Sequence, residues 1–526
     1  MTSPDTAHPA RVPVPRTAHN LPAPLAERAR QALDAAVAFA LHIQHADGCW
    51  EEAPDPRILE SAVAAHALSS YGPGTEEPVH RAHRWLRHAA PQTHHPVAEA
   101  LERWLQQLAL FPSDVPAPPL SLGGPHQGRA VLVHALAVSA RPPAADSRLL
   151  LDGVHAVRKS IGRGPVKQWQ QATLTAAELL ARARLSLPLP PDGVTGLAAH
   201  QSGDGSFCLM PTVTALACLA LRAAGDHRTA DRGRDWLVRT QHSDGTWRFL
   251  PSGVWDTALM VRCLRGHPLF DARALPPAAD YLERTQSPDG GWSFKHGLES
   301  DPDTMAMTLL ALAGTDQGHR TLPAARAFAR ATQLPDGRWR SWQSADDRPA
   351  PDVTAHMVSA LHRTGAPAAD LAPARSWLHS LSHGEQGWTA EWYAPPAYAL
   401  REIAEALGWS HPASHRAAHL LLHRQNDDGG WPVHPGGPSH PAATGLALSA
   451  LTRTTTAHHA TTRALHYLCT RQHSDGSWPG TPIMYGPRPF LSHIPTHTHA
   501  FSTLGLHDLL RVRTRSTADL RTGSNT

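Results

Sequence analysis

A pair of carboxylates at the start of a predicted helix carries the clearest chemistry in this chain. Asp301 and Asp303 flank Pro302, whose ring fixes the backbone between them, and Thr304 and an apolar run follow. A like charge nearby and burial both raise the pKa of a carboxyl group, although a helix N-terminus lowers it. The pair therefore predicts a group that donates a proton to an apolar substrate, with a plain helix cap as the alternative.

Aromatic residues lie at or near the neighbouring helix starts. Aromatic faces stabilise a nearby cation by roughly 0.5–2 kcal/mol each, and they do not readily act as nucleophiles. An acid above an aromatic bowl suits carbocation chemistry, whereas any single ring could be ordinary core. The candidates are Trp255, Phe294, Trp342, Trp388, Trp392, Tyr393, Tyr398, Tyr485, Phe490 and Phe501.

One motif, Gln-x-x-Asp-Gly-x-Trp, recurs along the chain and indicates how these residues are positioned. Asp-Gly predicts a tight turn after a helix, with the Trp folded back onto that helix and the Gln amide on its ring. From residue 241 the copies lie roughly 40–50 residues apart, which is typical of two-helix repeats. Copies begin at Gln44, Gln241, Gln286, Gln333, Gln425 and Gln472, with degenerate ones at Gln201 and Gln386.

A second helix follows most of these turns, and several of these helices are apolar nearly all round. Such helices are buried, so each repeat has one inner and one outer helix. Six or so pairs would close a ring around a cavity, with the inner-helix starts lining one mouth. Strand patterns are nearly absent. The sequence therefore predicts an all-α fold.

Composition argues against several other functions. The chain has 48 Lys and Arg residues against 45 Asp and Glu residues, a net charge of +3. This balance does not indicate the basic surface that binds nucleic acid. The five cysteines are far apart, so neither a disulfide framework nor a thiolate zinc site is expected. No apolar run reaches the roughly 18–20 residues of a membrane span, and no signal-peptide core is visible. We expect a cytoplasmic protein without nucleic-acid partners or an integral membrane segment; its oligomeric state is not indicated.

The repeats together with Asp-x-Asp-Thr resemble class II terpene cyclases, the relatives of squalene-hopene cyclases and bacterial diterpene cyclases. Residues 254–258 (Val-Trp-Asp-Thr-Ala), which include Asp256, are similar to a family segment upstream of the acid. Residues 392–398 and 205–215 resemble two further family segments. The resemblance covers about residues 25–510 and implies a two-domain βγ architecture of α/α-barrels with a cavity between the domains.

This resemblance also implies domain boundaries. Residues 25–44 and 231–512 would form the β domain, which carries the acid motif, and residues 45–230 an inserted γ domain. The polar segments 1–24 and 513–526 are expected to be flexible tails.

In the family's acid motif, Asp-x-Asp-Asp, the middle Asp gives the proton, and this position falls on Asp303. The third Asp is replaced here by Thr304, which leaves Asp301 to tune the acid. The Asp-x-Asp-Thr variant is similar to that of bacterial drimenyl diphosphate synthases. The resemblance thus implies conversion of farnesyl diphosphate to drimenyl diphosphate. No D-D-x-x-D ionising motif is present in the sequence, so the diphosphate should be retained.

The resemblance further implies a Mg²⁺ site, because family members that act on diphosphates carry an acidic element for this ion. Mg²⁺ prefers hard oxygen ligands together with substrate phosphate. A solvated acidic turn is the alternative. The candidate ligands are Glu51, Glu52, Asp55 and Glu60. The candidate diphosphate-binding residues are Arg57, Lys167 and Lys295.

Several alternatives stay open at this point. Geranylgeranyl diphosphate would be the substrate of a diterpene cyclase, and cavity volume would decide between the two. A carbohydrate-active α/α-barrel would need a second carboxylate, for which Asp256 is the candidate. Zinc chemistry like that of protein prenyltransferases, zinc at His493, His497 and His499, and an inactive scaffold are further alternatives. The sequence does not indicate the base that ends a cation cascade.

Overall fold

The computed structural model describes residues 21–91, 95–122, 127–140, 144–162, 164–342, 348–383, 388–453, 458–486 and 488–522. Helices dominate these residues, as the sequence predicts. Two short 3₁₀ helices (Pro112–Asp114 and Leu381–His383) and one antiparallel pair of strands accompany them. The strands are β1 (Met484–Tyr485) and β2 (Leu491–Ser492), with Met484 opposite Ser492. No helix in this part of the chain is both long enough and apolar enough to cross a membrane.

The helices fall into two sets along the chain. The earlier ones are α1 (Ala23–His42), α2 (Ile58–Ser69), α3 (Glu76–Leu86), α4 (Pro96–Leu110), α5 (Gln127–Ala140), α6 (Ala144–Ile161), α7 (Gln168–Arg184), α8 (Gly193–Ala198), α9 (Pro211–Ala223) and α10 (His227–Arg239). The later ones are α11 (Gly253–Leu264), α12 (Pro268–Arg273), α13 (Leu275–Arg284), α14 (Pro302–Leu312), α15 (Asp316–Thr332), α16 (Pro351–Arg363), α17 (Ala368–Ser380), α18 (Pro396–Leu407), α19 (Pro412–Leu422), α20 (Pro441–Leu451), α21 (His458–Arg471) and α22 (Pro495–Thr522).

The two predicted tails can be compared with the structure only in part. Residues 1–20 of the N-terminal tail lie outside the described residues, and α1 begins at Ala23. At the other end, α22 continues through Thr522, although the sequence analysis expected a loose tail from residue 513.

Six inner helices form a closed ring in the larger barrel. In order around the ring they are α11, α14, α16, α18, α20 and α22, and α22 packs against α11. The outer layer consists of α1, α13, α15, α17, α19 and α21, together with the short α12. Every residue of α14 and of α20 is buried, as their apolar sequences predict. Gly445 lets α20 approach α22 closely, since a Cβ there would collide with the carbonyl of Phe501.

The repeat turns tie each helix pair to the next outer helix. In the last turn, the Trp478 indole donates to the carbonyl of Leu468 at 2.9 Å. The Gln472 amide donates to Gly476 in its own turn and to Ala32 of α1, both at 2.9 Å. This last turn therefore closes the ring onto its first helix. The Gln amide is thus held by two backbone carbonyls, one in its own turn and one in α1.

A second, smaller ring is built from α2, α4, α5, α7 and α9, with α3, α6, α8 and α10 outside it. Its hydrophobic core draws on residues 58–247 and Phe490, whereas the larger core draws on residues 21–50 and 254–509. Gln241 donates to the carbonyl of Pro78 at 2.8 Å, so its repeat closes the smaller barrel. The chain therefore passes into the larger barrel after Trp247, later than the expected boundary at residue 231.

The two barrels meet where the inner helices of the larger one begin. Trp169 of α7 packs edge-on against Trp342, with ring centroids 4.7 Å apart. Arg57 donates to Ser492 Oγ of β2 at 2.7 Å, and Phe490 is buried in the core of the smaller barrel. The smaller barrel thus packs beside the mouth at which the candidate site lies.

Candidate active site

The acidic pair lies buried at the start of the inner helix α14. Asp301 is the N-cap, and its Oδ1 accepts a hydrogen bond from the Thr304 amide at 2.7 Å. Its second carboxyl oxygen is buried and has no partner among the described residues. Burial, followed by the charge of Asp303, raises the pKa of Asp301 well above its usual value. Burial and a like charge therefore act together here, as the sequence analysis expects, while hydrogen bonds from the backbone and side chain of Thr304 oppose them.

Asp303 is held by a histidine that sequence reasoning missed. His356, on the neighbouring inner helix α16, places its Nδ1 2.6 Å from Asp303 Oδ1. Its Nε2 lies 3.3 Å from both Glu402 Oε2 and the Tyr398 hydroxyl. Burial alone lowers the pKa of His356, but Asp303 and Glu402 outweigh it and raise that pKa to about 9. At neutral pH this ring is an imidazolium that donates to Asp303.

A third carboxylate comes from the same helix as this histidine. Asp352 follows Pro351 at the start of α16, just as Asp303 follows Pro302 at the start of α14. Its Oδ2 accepts from the backbone amides of Glu391 and Trp392 at 3.0 and 3.3 Å. Burial, followed by the charge of Asp303, raises the pKa of Asp352 to about 7. The repeated Pro-Asp at two inner-helix starts was the available sequence signal for this residue.

Behind His356 lies a buried ionic network on the inner helices. Glu402 accepts from Arg262 at 2.5 Å and from Arg401 at 2.7 Å. Glu405 accepts from the same two arginines at 2.8 and 2.9 Å. Burial alone raises the pKa of Glu402, but the two guanidinium groups outweigh it and hold that pKa well below its usual value. Glu402 is therefore an anion that keeps His356 charged and correctly turned.

The predicted aromatic residues separate into two groups. Next to the acid, Trp255, Tyr393 and Tyr398 cluster with Phe501, and the two tyrosine rings are 4.3 Å apart. Towards the smaller barrel, Trp342 contacts the rings of Phe294 and Trp392 edge-on at 5.8 and 6.2 Å. The first group stands directly beside His356, to which Trp255 and Tyr398 are 6.3 and 5.9 Å distant.

Two other predicted pocket residues lie elsewhere, and the prediction is corrected for them. The Trp388 indole donates to the carbonyl ten residues earlier, at 2.9 Å, as the tryptophans of the intact repeats do. It therefore packs against α17 and does not face the acid. Phe490 is buried in the core of the smaller barrel. The degenerate repeat at Gln386 was the available sequence signal for Trp388, whereas no repeat includes Phe490.

Asp256 lies in the first turn of α11 and is fully buried. Its Oδ1 accepts from Ser252 Oγ at 2.7 Å and from His497 Nε2 at 2.8 Å. Its Oδ2 is 3.4 Å from Thr496 Oγ1. This carboxylate therefore belongs to a second network on α11 and α22, separate from the hydrogen bonds of Asp303.

The acidic residues that follow the first repeat turn each contact a different partner. Glu51 pairs with Lys295 Nζ at 2.5 Å, and Glu52 Oε2 lies 3.3 Å from Thr496 Oγ1. Asp55 pairs with His493 Nδ1 at 2.8 Å. In the described residues, the one group of three potential ligands with adjacent donor atoms is instead His45, Asp47 and Cys49.

Arg57 and Glu60, predicted to bind diphosphate and metal respectively, form a buried ion pair with each other. This pairing removes Glu60 from the candidate Mg²⁺ ligands, because its carboxylate already has a desolvated cationic partner. Lys167 lies at the start of α7, where the next amide, of Gln168, donates to Glu299. Glu51 and Glu52 are only partly buried, and Mg²⁺ commonly needs just one or two carboxylates besides phosphate. These two residues fit such a site.

Two domain-family models match parts of the chain. The squalene-hopene cyclase C-terminal domain matches residues 341–509, and the prenyltransferase alpha-alpha toroid domain matches residues 195–340. No curated protein matches significantly.

Among solved structures, the ent-copalyl diphosphate synthase from Streptomyces platensis aligns with a TM-score of 0.59 at 20% identity, over 93% of this chain and 100% of that one. The type II terpene cyclase MstE from Scytonema aligns with a TM-score of 0.41 at 18% identity, over 50% of this chain and 88% of that one. The first of these likenesses shows that the chain has the fold of class II terpene cyclases.

Proposed function

We propose that this protein is a class II terpene cyclase that starts a cation cascade by protonating an alkene. The observation that carries the proposal is the buried contact of 2.6 Å between Asp303 and His356, beside two further carboxyl groups of raised pKa. Asp303 lies close enough to Asp301 and to Asp352 to raise the pKa of each, so these three carboxyl groups cannot all ionise without a large electrostatic cost, and the cluster retains protons near neutral pH. An apolar, aromatic surface lies next to these protonated carboxyl groups.

The acid acts through the two oxygens of Asp303. His356 donates to Oδ1 and so stabilises the carboxylate that forms when Oδ2 of the neutral acid gives up its proton. That proton is transferred to the terminal alkene of the substrate, whose π electrons form the new C–H bond. The resulting cation is attacked by the next alkene, so that rings close in sequence. Trp255, Tyr393 and Tyr398 present the aromatic faces that stabilise the positive charge.

We propose farnesyl diphosphate as the substrate and drimenyl diphosphate as the product, on the strength of the Asp-x-Asp-Thr motif. Geranylgeranyl diphosphate is the alternative substrate for the same mechanism. The diphosphate group would remain attached, and Lys295 stands beside Glu51 near the start of α11. Mg²⁺ held by Glu51 and Glu52 would neutralise negative charge on the diphosphate.

The test is a paired incubation of the purified full-length protein with farnesyl or geranylgeranyl diphosphate and Mg²⁺. Phosphatase treatment and gas chromatography–mass spectrometry then identify the alcohols. A bicyclic sesquiterpene alcohol is expected from the farnesyl tube; a bicyclic diterpene alcohol alone would change the substrate and keep the mechanism. Linear alcohols in both tubes would refute cyclase activity.

The variant Asp303→Asn should give only linear alcohols while keeping the circular dichroism spectrum and melting temperature of a folded protein. Asp316→Asn, an exposed position in the first turn of the outer helix α15, is the matched control and should cyclise normally. Equal turnover by both variants would remove Asp303 from the acid role. A metal chelator should raise KM more than it lowers kcat, and turnover that survives complete metal removal would refute the Mg²⁺ assignment.

A further inference from the structure

A second buried hydrogen-bond network includes Tyr393 of the aromatic cluster. Tyr393 places its hydroxyl 2.9 Å from His497 Nδ1, and His497 Nε2 lies 2.8 Å from Asp256 Oδ1. The Trp255 indole donates to the same Tyr393 oxygen at 2.9 Å. All four side chains are at most 6% exposed. The reaction start proposed above uses neither His497 nor Asp256.

The hydrogen bonds of this network are compatible with a neutral histidine. A carboxylate can only accept, so a neutral His497 that donates from Nε2 to Asp256 has a free electron pair on Nδ1. Tyr393 therefore donates its hydroxyl proton to Nδ1, while its oxygen accepts from Trp255. Burial raises the pKa of Tyr393 far above its ordinary value, so the group is a neutral phenol. Its remaining lone pair can accept a proton.

The two histidines of the site thus have opposite roles. His356 faces a carboxylate at each ring nitrogen, Asp303 at one and Glu402 at the other, so both nitrogens donate. His497 faces a carboxylate at one nitrogen and a phenol at the other, which leaves it able to take up a proton. Tyr393 and Tyr398 connect the two networks, with ring centroids 4.3 Å apart. An acid and a base therefore flank one compact aromatic cluster.

We infer that Tyr393 is the base that ends the cation cascade, relaying the proton to the His497–Asp256 pair; this inference rests on the cyclase function proposed above. A C–H bond next to the cationic carbon breaks, and its electron pair becomes the C=C bond of the product. The released proton binds the Tyr393 oxygen as the tyrosine's own proton moves to His497 Nδ1. The resulting imidazolium is paired with Asp256.

The experiment compares product distributions of the full-length protein with farnesyl and with geranylgeranyl diphosphate. Tyr393→Phe keeps the ring and removes the hydroxyl. The share of the wild-type alkene should fall at least about tenfold in favour of water-trapped alcohols or shifted double bonds, while substrate is still cyclised. Tyr398→Phe is the matched variant on the acid side, since its hydroxyl contacts His356 and not His497. It should slow cyclisation and leave the product distribution unchanged.

His497→Gln provides a second route to the same result, should Tyr393→Phe fold poorly. Wild-type products from both variants, whether formed at the normal rate or more slowly, would overturn the base assignment and leave the proposed function standing. A wild-type protein that forms no cyclised product at all would instead refute the proposed function, and the base assignment with it. Tyr467→Phe, a buried tyrosine of the outer helix α21, should match the wild type in rate and product.

Discussion

The substitution His356→Phe separates the acid mechanism from a merely structural role for the histidine. Phenylalanine keeps a ring in the same buried position and removes both the charge and the two donated hydrogen bonds. The pKa of His356 rises from 6.5 to about 9 although burial opposes the rise. A net rise of this size corresponds to about 3 kcal/mol, and the attraction of the imidazolium to the neighbouring carboxylates exceeds this figure because burial opposes it. Losing the imidazolium removes the positive charge beside the carboxylate that forms when Asp303 gives up its proton.

The expected loss of rate follows from that energy. If between half and all of it is expressed in the protonation transition state, cyclisation slows by about 10- to 200-fold. The assay is single-turnover formation of the cyclised diphosphate, read by gas chromatography–mass spectrometry after phosphatase treatment. Single turnover removes product release from the measured rate. Far-ultraviolet circular dichroism and a thermal melt establish that the variant is folded.

His507→Phe is the matched control for this experiment. His507 is also a buried inner-helix histidine, but it donates to the carbonyl of Cys263 at 2.9 Å and does not contact Asp303. Losing this bond should cost roughly 1 kcal/mol of stability without slowing cyclisation. The reasoning fails if His356→Phe cyclises at the wild-type rate, or is slowed no more than His507→Phe.

Three further predictions concern the surroundings of the acid. The folded protein raises the pKa of Asp352 to about 7 and that of His356 to about 9. Because both groups lose their protons as pH rises, kcat/KM should fall through about pH 7 and again through about pH 9. A pH–rate profile that is flat from 6 to 10 would contradict this prediction. Arg262→Met leaves its glutamate partner buried without one of its cations and should lower the free energy of unfolding in urea by about 3–5 kcal/mol. Gly476→Ala should destabilise the fold by more than Gly225→Ala. Both glycines have positive φ, but a Cβ at Gly476 would collide with α1, whereas a Cβ at Gly225 would meet nothing. Equal melting temperatures of the two variants would show that ring closure tolerates the extra atom.

The helical architecture could be predicted because its signals are local. A turn such as that of Gln472 is specified within seven residues: Gly476 adopts positive φ, Asp475 accepts from a backbone amide, and Trp478 reaches the carbonyl of Leu468. Apolar runs that bury every face identify inner helices for the same reason. The acid pair was also visible, since Asp301 and Asp303 belong to one helix start.

The domain boundary was harder to place, because the intact repeat turns share one motif whichever barrel they close. Contacts distant in sequence, such as that between Gln241 and Pro78, show that this repeat closes the smaller barrel. The roles of the individual tryptophans also depend on such contacts. The Trp388 indole donates to the carbonyl of Leu378, whereas the Trp255 indole donates to Tyr393.

The sequence by itself therefore determined the repeat turns, the inner and outer helices and the acidic pair, since these depend on backbone geometry and burial within one repeat. The tertiary structure alone decided what surrounds the acid. His356 lies 53 residues from Asp303, and His497 lies 104 residues from Tyr393 and 241 from Asp256. Closure of the inner ring brings helix starts from different repeats to one mouth. No local pattern records which of their side chains will then share a hydrogen bond or raise one another's pKa.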